Sequence, residues 1–153
     1  MATAEEKIRE MGLEIPSLPK RMGVYVPAVT SGNFIYTAGQ LPMAEGELTA
    51  VGKVPTDVTV EDAQLAARQA LLNVLSVVRG ELASLDRIVR IVRLNVFVNS
   101  APGFTEQAKV ANAASELLLE IFGEAGRHTR CAVGAAGLPL NSPVEIDTIA
   151  EVS

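Results

Sequence analysis

The 153-residue chain has little of the chemistry from which metal sites and nucleophilic sites are built. It contains one cysteine, Cys131, and one histidine, His128, and it has no Walker loop, dinucleotide-binding glycine pattern, HExxH or CxxC motif. A metal site would therefore need carboxylates from distant parts of the chain, and we expect no metal and no organic cofactor. A lone histidine also disfavours a Ser-His or Cys-His catalytic pair. A lone cysteine cannot form a disulfide within the chain, which fits a reducing compartment.

The chain also lacks a block of basic residues and a long apolar run. Its net charge at pH 7 is -5 and its pI is about 4.9. Because nucleic-acid binding depends on Lys and Arg facing phosphates, we expect no nucleic-acid partner. No apolar stretch approaches the roughly 20 residues that cross a bilayer. The first residues, MATAEEKIRE, are polar and acidic, unlike a secretory signal peptide. We therefore expect a soluble, cytoplasmic protein.

The first third of the chain predicts a short helix, a hairpin and a loop. Thr3 and Glu6 form a capping-box pattern that predicts a helix before the first prolines. Residues 24–40, VYVPAVTSGNFIYTAGQ, predict two strands around a Ser-Gly-Asn turn. Pro27 favours an edge position for the first of these strands. Residues 40–58 contain several glycines and prolines and predict an ordered loop.

The rest of the chain alternates helical and strand patterns. Thr59 predicts the cap of a long helix that ends near Gly80 or Leu85. Residues 87–98, RIVRIVRLNVFV, predict a central strand that is apolar on nearly both faces. Residues 102–123 predict a second helix, and two closing strands follow. Strict alternation along the central strand would place these residues on one face: Val89, Ile91, Arg93, Asn95 and Phe97.

These elements predict an α+β domain in the order ββαβαββ. The expected architecture is a single-layer sheet with two helices on one face. No predicted element covers the other face of the sheet. Because an uncovered apolar face usually marks association, we expect a homo-oligomer.

Two charged residues stand out in the closing segment, residues 128–152. Arg130 and Glu145 lie near the starts of its two strands, and small residues follow the arginine. An arginine can hold a carboxylate at two points, and a nearby glutamate can accept a proton from water. A simple cross-strand pair between Arg130 and Glu145 explains the pattern equally well. Asn112 is a poor helix former in the middle of the second helix, which suggests a specific contact for it.

Several short motifs in this order resemble the reactive-intermediate deaminase family, the YjgF/YER057c/UK114 group. The motifs are Gly23-x-Tyr25-Val26, TAGQLP at 37–42, Val96-Phe97-Val98, Arg130-Cys131-x-Val133, Ala136-x-Leu138 and Val144-Glu145-Ile146. Together they extend from about residue 20 to residue 152. The resemblance therefore divides the chain into an N-terminal extension, 1–20, and a family-like domain, 21–153.

The resemblance implies a chorismate-mutase-like fold, a homotrimer with clefts between subunits, and hydrolysis of reactive enamines and imines without a cofactor. In such a cleft Arg130 would hold the substrate carboxylate and Glu145 would activate the attacking water. Other residues would line the cleft or bind substrate: Tyr25 and Asn112 through their side chains, Gly39 and Ala132 through their backbone.

The chain departs from the family pattern at the His128-Thr129 pair before Arg130, where the family commonly has Pro or Ala and then a small residue, and at two further places. Ala38 stands where the family commonly has serine, which removes a hydroxyl from the cleft. The family's usual cysteine lies two residues beyond the arginine, at the position of Ala132, whereas Cys131 is one residue closer. In a strand this shift moves the thiol to the opposite face, so we expect Cys131 to be a small buried filler.

Three functions remain open from the sequence. The leading one is hydrolytic deamination of small 2-imino or 2-enamino acids to keto acids and ammonia. The second is non-catalytic binding of small carboxylate metabolites in the same clefts, which the loss of the hydroxyl at Ala38 favours slightly. Endoribonuclease activity, which belongs to the family by name, is the least favoured because the chain is acidic and has a single histidine.

Overall fold

The computed structural model describes residues 1–18 and 23–153, and it has an α+β fold with a mixed sheet and three α-helices in these ranges. The elements in chain order are α1 (Ala4–Glu10), β1 (Ala28–Ser31), β2 (Phe34–Thr37), β3 (Met43–Ala44), β4 (Glu47–Leu48), α2 (Val60–Leu82), β5 (Ile88–Asn99), α3 (Gln107–Phe122), β6 (Thr129–Ala135) and β7 (Val144–Val152). The expected boundary between an extension and a domain, at 20/21, lies outside the described residues.

The predicted element order is right for the main sheet and incomplete elsewhere. Helix α1 precedes the first strand, and the segment predicted as a loop contains a small hairpin of β3 and β4. This hairpin forms a separate two-stranded sheet. Its strands are two residues each, too short to carry an alternating pattern that could be recognised in the sequence.

The main sheet has the strand order β1-β2-β7-β5-β6. Strand β1 is an edge strand, as Pro27 predicts, and β5 is central between β7 and β6. Strands β5 and β6 are parallel, and the other neighbours are antiparallel. The two closing strands are therefore not partners, because β5 lies between them.

Helices α2 and α3 pack side by side against one face of the sheet. Thr59 caps α2 by accepting a hydrogen bond from the Asp62 N–H at 3.1 Å, as the sequence predicts. Strand β7 has a strict alternation of buried and half-buried residues. Its buried positions, which face the helices, are Val144, Ile146, Thr148, Ala150 and Val152.

Strand β5 does not follow the simple alternation that the sequence predicts. Register shifts against β7 occur between Ile88 and Arg90 and again between Ile91 and Arg93. Ile91 is consequently 1% exposed and faces the core, opposite to Arg93. The prediction that these two residues share a face is wrong, because an irregularity in one strand moves a side chain to the other side of the sheet.

Helix α1 packs near α3 and is tied to the last turn of α2 by a polar contact. The capping box predicted at Thr3 is present. The Glu5 carboxylate accepts the Leu85 N–H at 3.0 Å and pairs with Arg79 at 3.3 Å. Ile8 is only 4% exposed and belongs to the main core. The first turn of the chain is thus part of the folded unit.

The sheet face opposite the helices exposes large apolar side chains. Val29, Phe34, Tyr36 and Val133 are between 39% and 50% exposed. Each alternates with residues that face the helices.

Across the described ranges, no helix combines the length and apolar character that a membrane crossing requires.

Candidate active site

Arg130 lies on the helix-facing side of edge strand β6. It is paired with Leu94 of β5, which is fully buried beneath the helices. Its Nη1 donates hydrogen bonds to Asn112 Oδ1 at 2.9 Å and to Ser115 Oγ at 3.1 Å, both on α3. The specific contact expected for Asn112 is therefore to the arginine itself.

These two bonds leave one edge of the guanidinium available. An arginine Nη1 carries two hydrogens, and both are used here. Within the described ranges Nε and Nη2 have no hydrogen-bond partner. This Nε/Nη2 edge is the geometry that binds a carboxylate at two points. Ala132 follows two residues later on the same face, where its small side chain packs against the core.

The hydrogen bonds extend from Ser115 to His128. Ser115 Oγ lies 2.9 Å from His128 Nε2, and His128 Nδ1 lies 2.7 Å from the Gly126 carbonyl oxygen. Because a carbonyl oxygen can only accept, Nδ1 carries the proton in the neutral ring. His128 Nε2 is then an acceptor for the Ser115 hydroxyl, which in turn accepts from Arg130.

Glu145 lies on the opposite face of the sheet. It pairs with Phe97 of β5 and alternates with the buried Val144 and Ile146. Its carboxylate lies directly over the backbone of Gly39, where a Cβ would overlap Oε2. Residue 39 must therefore be glycine for the carboxylate to occupy this position.

The surroundings of Glu145 favour its protonated form. Burial raises the pKa of this carboxyl above its ordinary value, and the charge of Asp147 on the same face raises it further. Asp147 accepts a hydrogen bond from Asn95 at 2.7 Å, and Asn95 accepts one from Arg93 at 3.0 Å. Arg93 is thus directed to its neighbours, and Glu145 has no salt bridge in the described part of the chain.

Tyr25 lies in the segment that precedes β1. It precedes by two residues Pro27, whose carbonyl accepts the Ala38 N–H at 2.8 Å. Its side chain is 48% exposed. Of the predicted site residues Tyr25, Gly39 and Glu145, the structure brings Gly39 and Glu145 close together.

The predicted residues therefore form two groups within one chain. Arg130 and Glu145 lie on strands separated by β5, three residues apart along the strand direction. The distance between their Cα atoms is on the order of 14 Å, and the side chains leave opposite faces. The alternative of a cross-strand ion pair is excluded by this topology.

Cys131 is not the buried filler that the sequence predicts. Its thiol does lie on the face opposite to Arg130, as the one-residue shift requires. However, the residue is exposed, and its Sγ accepts a hydrogen bond from Arg93 Nη2 at 3.0 Å. The burial prediction is wrong because β6 is an edge strand whose outward face is not covered by this chain.

Sequence reasoning missed the role of Ser115 and the contacts of His128. Ser115 follows Asn112 by three residues, so the two share one face of α3. His128 precedes Arg130 by two residues. These spacings could have indicated a common environment.

Among residues 1–18 and 23–153, no group of three or more His, Cys, Asp or Glu side chains is placed to hold a metal ion.

Comparison with known proteins agrees with this fold and these motifs. A family model described as "YjgF/chorismate_mutase-like, putative endoribonuclease" matches residues 5–152. Protein TCP17 of Trypanosoma cruzi is 44% identical over 147 residues, which are 95% of this chain and 92% of that protein. The crystal structure of Atu1372 from Agrobacterium tumefaciens, a protein of unknown function, superimposes with a TM-score of 0.90 and 44% identity, covering 98% of this chain and 92% of that one.

A more distant relative has a name that states an activity. The 2-iminobutanoate/2-iminopropanoate deaminase of Escherichia coli K12 is 35% identical over 132 residues, covering 86% of this chain and 90% of that enzyme. An α+β fold with a mixed sheet, together with these matches, defines the class of protein. The chain belongs to the YjgF/chorismate-mutase-like family, which includes imine deaminases.

Proposed function

We propose that this protein hydrolyses small 2-imino and 2-enamino acids to 2-oxo acids and ammonia, without a cofactor. The observation that carries the proposal is Glu145, a half-buried carboxylate with a raised pKa, held over the backbone of Gly39 and without a salt bridge in the described residues. Such a group suits proton transfer, because a raised pKa makes the ionised carboxylate a stronger base than an ordinary glutamate. The name of the Escherichia coli relative supports the same substrate class.

Arg130 has the role of binding the substrate carboxylate. Asn112 and Ser115 hold Nη1, and the Nε/Nη2 edge is available for two parallel hydrogen bonds. A carboxylate bound in this way has its adjacent carbon, the imine carbon, at a fixed distance from the arginine. Because an imine carbon is already electrophilic, placement and one proton acceptor are sufficient for attack by water.

Glu145 transfers the protons. It takes a proton from water as the water oxygen bonds to the imine carbon. It returns that proton to the nitrogen, which gives a tetrahedral carbinolamine with a hydroxyl and an amino group. Glu145 then takes the hydroxyl proton as the C=O bond forms and passes it to the amino nitrogen as the C–N bond breaks, so that ammonia and the 2-oxo acid are released. An enamine reaches the same intermediate after protonation at carbon. A carboxyl with a raised pKa is a stronger base when it is ionised, and it holds the proton more tightly until the proton is transferred to nitrogen.

The complete site is formed by two chains in this proposal. Arg130 and Glu145 of one chain leave opposite faces of the sheet, too far apart for one small acid. Exposed apolar residues on the open face, such as Phe34 and Val133, suit burial against a second copy. A cyclic trimer, which the family resemblance implies, would bring the Arg130 region of one chain to the Glu145 region of the next.

The test generates 2-iminopropanoate and 2-iminobutanoate in situ with an amino acid oxidase and traps them with semicarbazide. Wild-type protein should suppress semicarbazone formation, and Arg130→Ala should not. Suppression by both proteins would contradict the role of Arg130. If neither protein suppresses it while the wild type still binds 2-oxobutanoate, the metabolite-binding function replaces catalysis. Cleavage of RNA at low salt would instead support the endoribonuclease alternative.

A further inference from the structure

We propose that Ser115 and His128 are positioning residues that fix the guanidinium of Arg130 for substrate binding. The proposal rests on the proposed function, since it assumes that Arg130 binds the substrate carboxylate. Neither residue has to touch the substrate. Each acts through the next member of a directional series of hydrogen bonds that ends on Arg130 Nη1.

The direction of every bond in the series follows from the chemistry of its atoms. The Gly126 carbonyl can only accept, so it orients the Nδ1–H of His128. The unprotonated Nε2 then accepts the Ser115 hydroxyl hydrogen. With its hydrogen directed to the histidine, the Ser115 oxygen presents a lone pair to Arg130. A serine alone could rotate its hydroxyl hydrogen toward the arginine, and His128 removes that option.

The far end of the series is anchored on closely packed backbone. Gly126 ends a 3-10 turn, Gly123–Gly126, that continues directly from α3. A Cβ on Gly126 would overlap the Leu118 carbonyl, so the turn is packed closely against the helix. Ser115 and Asn112 lie on the same helix. Three points of α3 and its extension therefore determine where the arginine of β6 lies.

This arrangement explains how an arginine on an edge strand can be held in one orientation. A long flexible side chain loses rotamer freedom when it binds a ligand, and prior fixation lowers that loss. With both Nη1 hydrogens bonded to α3, the Nε/Nη2 edge stays available. The expected consequence is on carboxylate affinity, which contributes equally to the ground state and the transition state. A loss of carboxylate affinity therefore raises KM and leaves kcat unchanged.

The experiment measures steady-state kinetics on 2-iminobutanoate together with calorimetric binding of 2-oxobutanoate. Ser115→Ala and His128→Ala are each expected to raise KM and the Kd for 2-oxobutanoate about tenfold, with kcat within about twofold. Ser115→Thr keeps the hydroxyl, and His128→Gln supplies an amide oxygen as acceptor. Both conservative variants should retain most of the affinity. Glu116→Ala, on the exposed neighbour of Ser115, is the matched control and should match the wild type.

A double-mutant cycle distinguishes action through Ser115 from general destabilisation. If His128 acts only through the hydroxyl, His128→Ala should have no further effect on Kd in the Ser115→Ala background. Additive effects, a lowered kcat with unchanged KM, or wild-type affinity in both alanine variants would overturn the inference while leaving the proposed function intact. Wild-type protein that neither turns over the imine nor binds 2-oxobutanoate would overturn both. Thermal unfolding of every variant identifies loss of fold.

Discussion

Glu145 is the residue on which the chemistry of the proposed reaction depends. Glu145→Gln keeps the shape of the side chain and removes its capacity to accept a proton. We expect kcat on 2-iminobutanoate to fall by a factor on the order of 10² to 10⁴, the usual contribution of general acid–base catalysis. Binding of 2-oxobutanoate, measured by calorimetry, should change little. Full activity of the glutamine variant would show that water is activated elsewhere.

The pH dependence of activity should follow the raised pKa of Glu145. The ionised form accepts the proton, so the rate should rise with pH through a midpoint above the ordinary value of 4.5. This acidic limb should disappear in Glu145→Gln. The prediction is tested by measuring the rate at pH values below and above this midpoint, with enough oxidase that generation of the imine is never limiting. An acidic limb that survives the substitution would belong to another group.

The same carboxyl should also affect stability. Between its unfolded and folded pKa values the folded protein binds more protons, so the contribution of Glu145 to stability is greatest below pH 4.5 and is lost as pH rises through the raised pKa. Glu145→Gln should therefore raise the Tm more at about pH 7.5 than at about pH 4. An equal shift in Tm at both pH values would show that the raised pKa of Glu145 is not the cause. The oligomeric state of both proteins is checked at each pH.

Gly39 offers a steric test of the position of Glu145. Gly39→Ala places a methyl group where Oε2 now lies and should displace the carboxylate. We expect kcat to fall at least about tenfold, because small displacements of catalytic groups are costly. Gly137→Ala is the matched control, since a Cβ there meets nothing within 4 Å. Equal activity of the two variants would show that the close approach is unimportant for catalysis.

At the scale of elements, helices α2 and α3 were predictable and the arrangement of the last strands was not. The cap at Thr59 and the stop at Gly123 are local signals, which is why α2 begins and α3 ends where predicted. The start of α3, at Gln107, is five residues later than predicted. The insertion of β5 between β6 and β7 depends on long-range pairing, which a short apolar pattern does not encode. The bulges in β5 likewise leave no mark in the alternation.

The candidate site was predictable only in part, because its motifs are local in the sequence whereas its assembly depends on long-range strand pairing. Motifs identified Arg130 and Glu145 as a pair, and the contact of Asn112 followed from its poor fit to a helix. Their separation onto two faces could not be seen, because it depends on which strands are neighbours. The hydrogen bonds of Ser115 and His128 were missed because they join α3 to a strand across the loop that follows the helix.

Helix α1 is expected to contribute to stability and not to chemistry. Ile8 is 4% exposed and packs in the main core. Ile8→Ala should lower the free energy of unfolding by about 2 to 4 kcal/mol, the cost of a large-to-small change in a core. KM and kcat at low temperature should stay near wild type. Urea unfolding measures the first effect, and Glu10→Ala on the exposed side is the control.

At the scale of the whole molecule, the proposal requires that chains share sites. Sedimentation equilibrium should give the mass of a trimer, 3 × 16.1 kDa or about 48 kDa. Inactive Arg130→Ala and Glu145→Gln chains, mixed and co-assembled in equal amounts, should recover about a quarter of wild-type activity, because one site in four would combine two intact contributions. No recovery in verified mixed trimers would contradict a site that combines Arg130 of one chain with Glu145 of another.

Because Arg130 and Glu145 lie on opposite faces of one sheet, the concentration of active sites in a solution would depend on how much of the protein is assembled. A single chain would hold both groups and still be inert, so catalytic capacity would appear only on assembly. Specific activity should then vary with protein concentration by mass action, falling on dilution and returning on reconcentration. The abundance of the protein would itself act as a control on the rate per molecule.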